Sequence, residues 1–171
     1  MATEQPLQVH ELLRALGARG VDYVVIGGVA VAAHGYLRAT KDLDIMIDPS
    51  PENVSRLWEF IEDVAAEPLA VGDFEEREMP LPFEPRSIID GGGNWLLRTR
   101  FGRIDVMQYA EGAPDYPDLA AGSVENELDG LSTPVRICSL EDLLAMKRAA
   151  NRPADRVDIE RLTGGLGIDG A

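Results

Sequence analysis

Residues 24–48 read VVIGGVAVAAHGYLRATKDLDIMID. The apolar, β-rich run from Tyr23 to Ile26 stops at Gly27-Gly28, as a buried strand does. Val29 to Ala33 then reads as a short helix closed by His34-Gly35. A second strand, Leu43 to Ile47, ends at Asp48-Pro49. Two aspartates, Asp42 and Asp44, stand at its start. Side chains two apart on a strand share a face, so these two carboxylates lie side by side with Cα atoms about 6.5–7 Å apart. Their repulsion is costly where water is partly excluded. A divalent cation between them removes that cost, and Mg²⁺, a hard ion bound by carboxylate, water and phosphate oxygens, suits the pair. The plain alternative is two solvated aspartates on a half-exposed strand. Gly27-Gly28 shifts the balance, because a glycine turn opening a helix offers backbone N–H groups to a phosphate and lets it approach closely.

The rest of the chain is read outward from this unit. Leu7, Leu12, Leu13 and Leu16 fall near helical spacing, with Gly17 and Gly20 as a stop. Ser50-Pro51-Glu52 opens a helix whose Val54, Leu57, Trp58 and Ile61 share a face. Residues 67–85 mix prolines with acids and read as a surface loop, and Gly91-Gly92-Gly93 as a flexible one. Residues 95–101 and 103–107 read as two strands hinged at Gly102, with further short strands between Val124 and Ile137. Two helices follow, one capped by Ser139 with Asp142 three residues on, the other starting near Pro153 and carrying Val157, Ile159 and Leu162. The expected organisation is one domain over residues 1–163 and a flexible tail over 164–171.

Composition limits the partners. A net charge of −14 argues against broad binding to nucleic acid or an anionic membrane, so a polyanionic ligand has to meet a local basic site. The N-terminus has no basic region followed by an apolar stretch, and no run approaches the roughly 18 apolar residues that span a bilayer. A cytoplasmic protein without membrane contact is expected. The single cysteine, Cys138, sits among apolar residues and reads as a small buried hydrophobe. Neither a P-loop nor a Gly-x-Gly-x-x-Gly fingerprint is present, and an EF-hand fails because Met46 and Ile47 hold its fifth-ligand and glycine positions.

Ile26-Gly27-Gly28, a spacer of thirteen residues and Asp42-Leu43-Asp44-Ile45, followed much later by the aspartate of RIDVM, Asp105, together resemble the nucleotidyltransferase superfamily of DNA polymerase β. The wording GGVAVAAHGYLRATKDLD, with EDLLAMKRAANRPADRVDIERL further on, is similar to minimal bacterial nucleotidyltransferases related to abortive-infection and toxin–antitoxin proteins and to small antibiotic nucleotidyltransferases. The similarity covers about Val21 to Leu162. Ala154 stands where a second basic residue is common in those relatives, and no separate acceptor-binding domain is recognisable.

The resemblance implies an α/β (α+β) fold, a small mixed sheet with helices packed on it, in which the glycine turn faces the carboxylates. It implies transfer of a nucleoside monophosphate from a nucleoside triphosphate (NTP), such as ATP, to an acceptor hydroxyl with release of pyrophosphate. Asp42, Asp44 and Asp105 would hold Mg²⁺, or Mn²⁺ in its place, with Asp105 also taking or orienting the hydroxyl proton. Gly27 and Gly28 would hold the outer phosphates, with Lys147 contacting phosphate. Arg38 and Lys41, flanking the acidic strand, either touch phosphate or screen the paired charges. A small molecule, a protein side chain and an RNA end are all compatible acceptors, RNA sitting least comfortably with the acidic surface. A cognate toxin or antitoxin partner, with the fold used for binding and little turnover, is one alternative. A sugar-nucleotide glycosyltransferase, whose Asp-x-Asp also holds a divalent ion, is another. His34 is expected to serve the end of its helix, and Arg98, Arg100 and Arg103 to form a solvated sheet face or a local polyanion site.

Overall fold

A computed structural model describes residues 5–69, 82–91 and 93–164. In chain order its elements are α1 (Val9–Ala18), β1 (Tyr23–Ile26), α2 (Gly27–Ala33), β2 (Asp42–Ile47), α3 (Pro51–Asp63), β3 (Glu67–Pro68) and α4 (Pro85–Gly91). They continue as β4 (Trp95–Thr99), β5 (Gly102–Met107), α5 (Tyr116–Gly122), β6 (Val124–Asn126), β7 (Val135–Ile137), α6 (Leu140–Ala150) and α7 (Pro153–Gly164). The strands form one mixed sheet in the order β3-β4-β5-β2-β1-β7-β6. β1 runs antiparallel to β2 and parallel to β7, whereas β2 and β5 are parallel.

Two strands set the centre. Every residue of β1 is buried, which is why its sequence shows no alternation. On β2 the two faces differ: Leu43, Ile45 and Ile47 are fully buried, while the opposite face carries Asp42, Asp44 and the buried Met46. The strand is thus packed on both sides at its far end and opens on one side only at its start. A side-chain clip from α3 secures this arrangement. Buried Asn53 donates to the carbonyls of Asp22 and Asp48 and accepts from the Asp22 N–H, tying the entry to β1 to the exit from β2. Ser50 caps α3 through the Asn53 N–H, with Pro51 in the first turn.

Among the helices, α2 packs on β1, β2 and α6, and α6 on α7; α3 packs on α1 and α4. Several boundaries differ from those expected. α1 runs through Gly17 to Ala18, and the turn falls instead at Gly20, whose φ is +63°. Gly17 is held in the helix by contact, since a Cβ there would lie 2.8 Å from Thr133 Oγ1. The expected loop over 67–85 begins as β3, paired with β4, and ends at the first residue of α4; residues 70–81 lie outside the described residues. Gly91 closes α4 rather than opening a flexible loop. At the C-terminus, Gly164 ends α7, and the expected tail from 165 onward lies outside the described residues.

The helix α7 differs most from its sequence reading. Val157 is 46% exposed, and the buried stripe is Asp155, Asp158 and Leu162. Those positions follow a helical i, i+3, i+7 pattern, but two of the three carry charge. What makes their burial tolerable is a set of cations supplied by other elements, described next.

Candidate active site

β2 and β5 pair in parallel with Asp44 opposite Asp105 and Asp42 opposite Arg103. The same register places Asp44 beside Ile26, the last residue of β1. The glycine turn and the three carboxylates therefore meet at one end of the sheet, where β1 stops and β2 and β5 begin. Gly27 has φ +66°, and a Cβ on it would run into the Asp44 carboxylate. The Gly28 N–H acts on the Asp44 carboxyl, opposing the upward push of burial. A Cβ on Gly28 would lie 2.6 Å from Thr40 Oγ1, and Thr40 in turn donates to the Asp42 carbonyl. Close approach thus demands both glycines, and conformation demands Gly27 as well.

The site opens into a cleft of about 550 Å³. Gly27, Gly28, Arg38, Lys41, Asp42, Asp44, Asp105 and Lys147 all line it, so every residue singled out in the sequence for chemistry or nucleotide contact lies on one cavity. Met107, Leu143 and Met146 supply apolar wall, and Glu111 and Arg152 complete its charged rim.

Electrostatically the centre is strained toward protonation. Burial, and then the charges of Asp42 and Asp105, push the Asp44 carboxyl up to about 7. Burial and the Asp42 charge push Asp105 up to about 6, against the pull of Arg103. Asp44 and Asp105, opposite each other in the β2–β5 register, act directly on each other's ionisation. Asp105 Oδ1 is buried without a hydrogen-bond partner. Among the described residues no three His, Cys, Asp or Glu side chains are drawn into metal-ligand positions. The donor set nevertheless fits a divalent cation: burial and mutual repulsion both oppose charge on these carboxylates, one of them keeps an orphaned buried oxygen, and a bound cation would relieve both costs.

Beside the acidic centre lies a basic one. Lys147 on α6, 6% exposed, places Nζ 2.9 Å from Asp155 Oδ1 and 2.9 Å from Asp158 Oδ2. Arg38 reaches Asp158 through Nε at 2.7 Å and Nη2 at 2.8 Å. Arg152 reaches Asp155 through Nε at 2.7 Å. For Asp155, burial acts upward, but the hydrogen bonds from Arg152 and Lys147 outweigh it and hold the carboxyl down at about 2. Asp158 is lowered in the same way, burial being overcome by Arg38 and Lys147. Lys147 is therefore neither a solvated helix residue nor a free cation.

Thr40, Arg152 and Asp155 line the cleft, and Asp158 pairs with its cations; the sequence singles out none of the four as site residues. The available signal was the coincidence of Asp155 and Asp158 with the buried phase of α7. The remaining polar candidates lie elsewhere. His34 caps α2 and hydrogen-bonds through Nε2 to the Cys138 carbonyl at 2.8 Å, joining two elements rather than touching the cleft. Cys138 is fully buried, and burial pushes its thiol up to about 12. The three arginines form no shared site: Arg98 pairs with Glu67 at 3.0 Å, Arg100 stacks over Phe101, and Arg103 approaches Asp42 at 3.9 Å.

No protein-family model and no curated protein sequence matches the chain. Solved structures do. The lincosamide antibiotic adenylyltransferase LnuA, bound to lincomycin, superposes with a TM-score of 0.60 at 16% identity over 93% of this chain and 98% of that one. ANT(2″)-Ia in complex with adenylyl-2″-tobramycin superposes with a TM-score of 0.54 at 18% identity, over 90% of this chain and 84% of that one. The chain has the nucleotidyltransferase fold. The α/β architecture expected from the sequence is the one found, a mixed sheet carrying helices with the glycine turn against the carboxylates. No helix of the described residues is long and apolar enough to cross a membrane.

Proposed function

We propose that the protein is a nucleotidyltransferase that moves a nucleoside monophosphate from a nucleoside triphosphate to an acceptor hydroxyl and releases pyrophosphate. The observation that carries this reading is the convergence of Asp42, Asp44 and Asp105 with the Gly27-Gly28 turn on one cleft. Acidic and basic halves side by side are what a triphosphate donor with its cation needs. In the reaction the acceptor oxygen forms a bond to the α-phosphorus, the bridging bond to the β-phosphate breaks, and pyrophosphate departs with that electron pair.

Asp42, Asp44 and Asp105 would hold divalent metal, Mg²⁺ or Mn²⁺, which when bound polarises the phosphoryl group and lowers the pKa of the attacking hydroxyl. The chain's own residues do the rest. Asp105, raised by burial and by the Asp42 charge, is poised to accept the hydroxyl proton as general base. Gly27 and Gly28 let the phosphates approach the backbone without a Cβ between. Lys147 and Arg38 line the cleft as cations for the outer phosphates, with Lys41 on the same rim. ATP is the first donor to test. The lincomycin and adenylyl-tobramycin complexes of the two structural neighbours make a small hydroxyl compound the first acceptor class to try.

The test is mass spectrometry of an acceptor panel incubated with the protein, each triphosphate and Mg²⁺. An acceptor gaining one nucleoside monophosphate supports the reading. Gain of a phosphoryl group alone, or of a sugar from a sugar nucleotide, would replace it with a kinase or a glycosyltransferase.

A further inference from the structure

The basic half of the cleft is built on two buried anions. Asp155 and Asp158, one turn apart on α7, are 0% and 1% exposed. Carboxylates at that depth stay charged only when paired and hydrogen-bonded, and a buried ion pair is on balance no more stabilising than apolar packing. Stability alone therefore does not account for the cluster. Geometry does. Asp158 accepts two hydrogen bonds from Arg38, on the segment between α2 and β2, and also holds Lys147 of α6. One carboxylate thus fixes two cations from different parts of the chain beside the glycine turn. Arg38 Nη1 lies 3.5 Å from the position a Gly28 Cβ would take.

The cluster also retains a surplus. Three cations, Arg38, Lys147 and Arg152, share two carboxylates, so one positive charge is uncompensated. Lys147 donates to Asp155 and pairs with Asp158, and the same residue lines the cleft. Lys147 and Asp44 also act on each other across the cleft. Released from α7, the lysine would have Asp44, on the wall of the same cleft, as an alternative counter-ion and would neutralise a carboxylate that the proposed function assigns to metal.

Resting on the reading of this cleft as a triphosphate site, we propose that Asp158 is a positioning residue. It holds Arg38 and Lys147 at the spacing that takes phosphate oxygens and, together with Asp155, keeps the Lys147 ammonium off Asp44. α7 is in this way part of the nucleotide site.

The experiment is a double-mutant cycle read by calorimetric titration of a non-hydrolysable nucleoside triphosphate with Mg²⁺, on full chains shown to be folded by circular dichroism well below their melting temperatures. Asp158→Asn and Arg38→Gln should each weaken binding by about tenfold or more, the weight of one charge-assisted hydrogen bond. The double variant should bind within about twofold of the weaker single, because the first substitution already removes what the second would. Asp158→Glu keeps the charge, displaces it by one methylene and tolerates the fold if Asp158→Asn does not. It should weaken binding in the wild-type background and weaken it less in the Arg38→Gln background, where only Lys147 is left to displace. Additive losses, or an Asp158 variant binding as wild type does while its melting temperature falls, would overturn the positioning role and leave the cleft's function standing. A wild-type protein that binds no triphosphate would overturn the cleft reading, and this inference with it.

Discussion

Asp44 on β2 stands directly opposite Asp105 on β5, and with Asp42 the two form a group of three like charges at one end of the sheet. Parallel pairing forces the juxtaposition. Burial and the neighbouring charge raise both pKa values, so the native state binds more protons than the unfolded chain between the ordinary carboxylate range near 4 and the raised values near 6 and 7. Stability from this pair is present at low pH and is lost as pH rises through that window.

A consequence is that the wild-type residues are a burden without metal. Asp44→Asn removes one charge yet leaves an oxygen for the Gly28 N–H to act on. In excess chelator at pH 8 it should raise the melting temperature by a few degrees, with a smaller gain at pH 5. The same variant should lose the upward shift that Mg²⁺ with triphosphate gives the wild type. Thermal melts in chelator and in Mg²⁺ check both. A lower melting temperature for Asp44→Asn in chelator would mean that burying the Asp44 charge among like charges is not a net cost to the fold.

Gly27→Ala tests the turn. The new methyl would enter the Asp44 carboxylate, and φ +66° is unfavourable for alanine by about 1–2 kcal/mol before any contact is counted. Reduced stability together with loss of the Mg²⁺–triphosphate shift is expected. A variant that melts lower but keeps the full ligand shift would separate the turn from the site.

Asp105 separates binding from chemistry. Asp105→Asn preserves shape, leaves Asp42 and Asp44 for the metal, and removes the base. Transfer should fall several hundred-fold or more, within the range of about 10²–10⁴ for general acid–base catalysis. Most of the triphosphate–Mg²⁺ affinity should remain in calorimetric titration. Near-normal transfer would make Asp105 a spectator and move the search for a third carboxylate to Asp90, the next aspartate upstream.

The cluster on α7 predicts the opposite pH behaviour from the acidic centre. The Asp155 carboxyl is held at about 2, so its contribution is complete above the unfolded value near 4 and disappears as pH falls from there through 2. Acid titration of the melting temperature should show a steep loss in that interval. Lys147→Met, which leaves two buried carboxylates short of a partner, should lower stability across neutral pH by about 3–5 kcal/mol. A flat acid limb would remove the cluster from the stability account.

The central unit was legible in the sequence because each of its signals is local. The run Tyr23 to Ile26 is apolar throughout because β1 is buried on both sides, and the alternation in DLDIMI reports a strand with one open face. Asp105 could be named only through the resemblance, since its place opposite Asp44 depends on a parallel pairing between strands some sixty residues apart. The α7 cluster was not legible for the same reason in stronger form. What holds Asp158 in the core includes Arg38, 120 residues away in the chain, and no local pattern reports that contact. The short helix α5 was also missed; it buries a single residue, Leu119, and so shows no period.

The most direct measurement is a paired transfer assay with α-labelled and γ-labelled triphosphate, Mg²⁺ and cell extract as the source of acceptor, using wild type beside Asp42→Asn/Asp44→Asn. The account requires label from the α-phosphate to enter an acceptor fraction, label from the γ-phosphate to leave with pyrophosphate, and the double variant to transfer neither. Transfer of the γ-label with release of a nucleoside diphosphate, or α-label transfer that persists in the double variant, would contradict it.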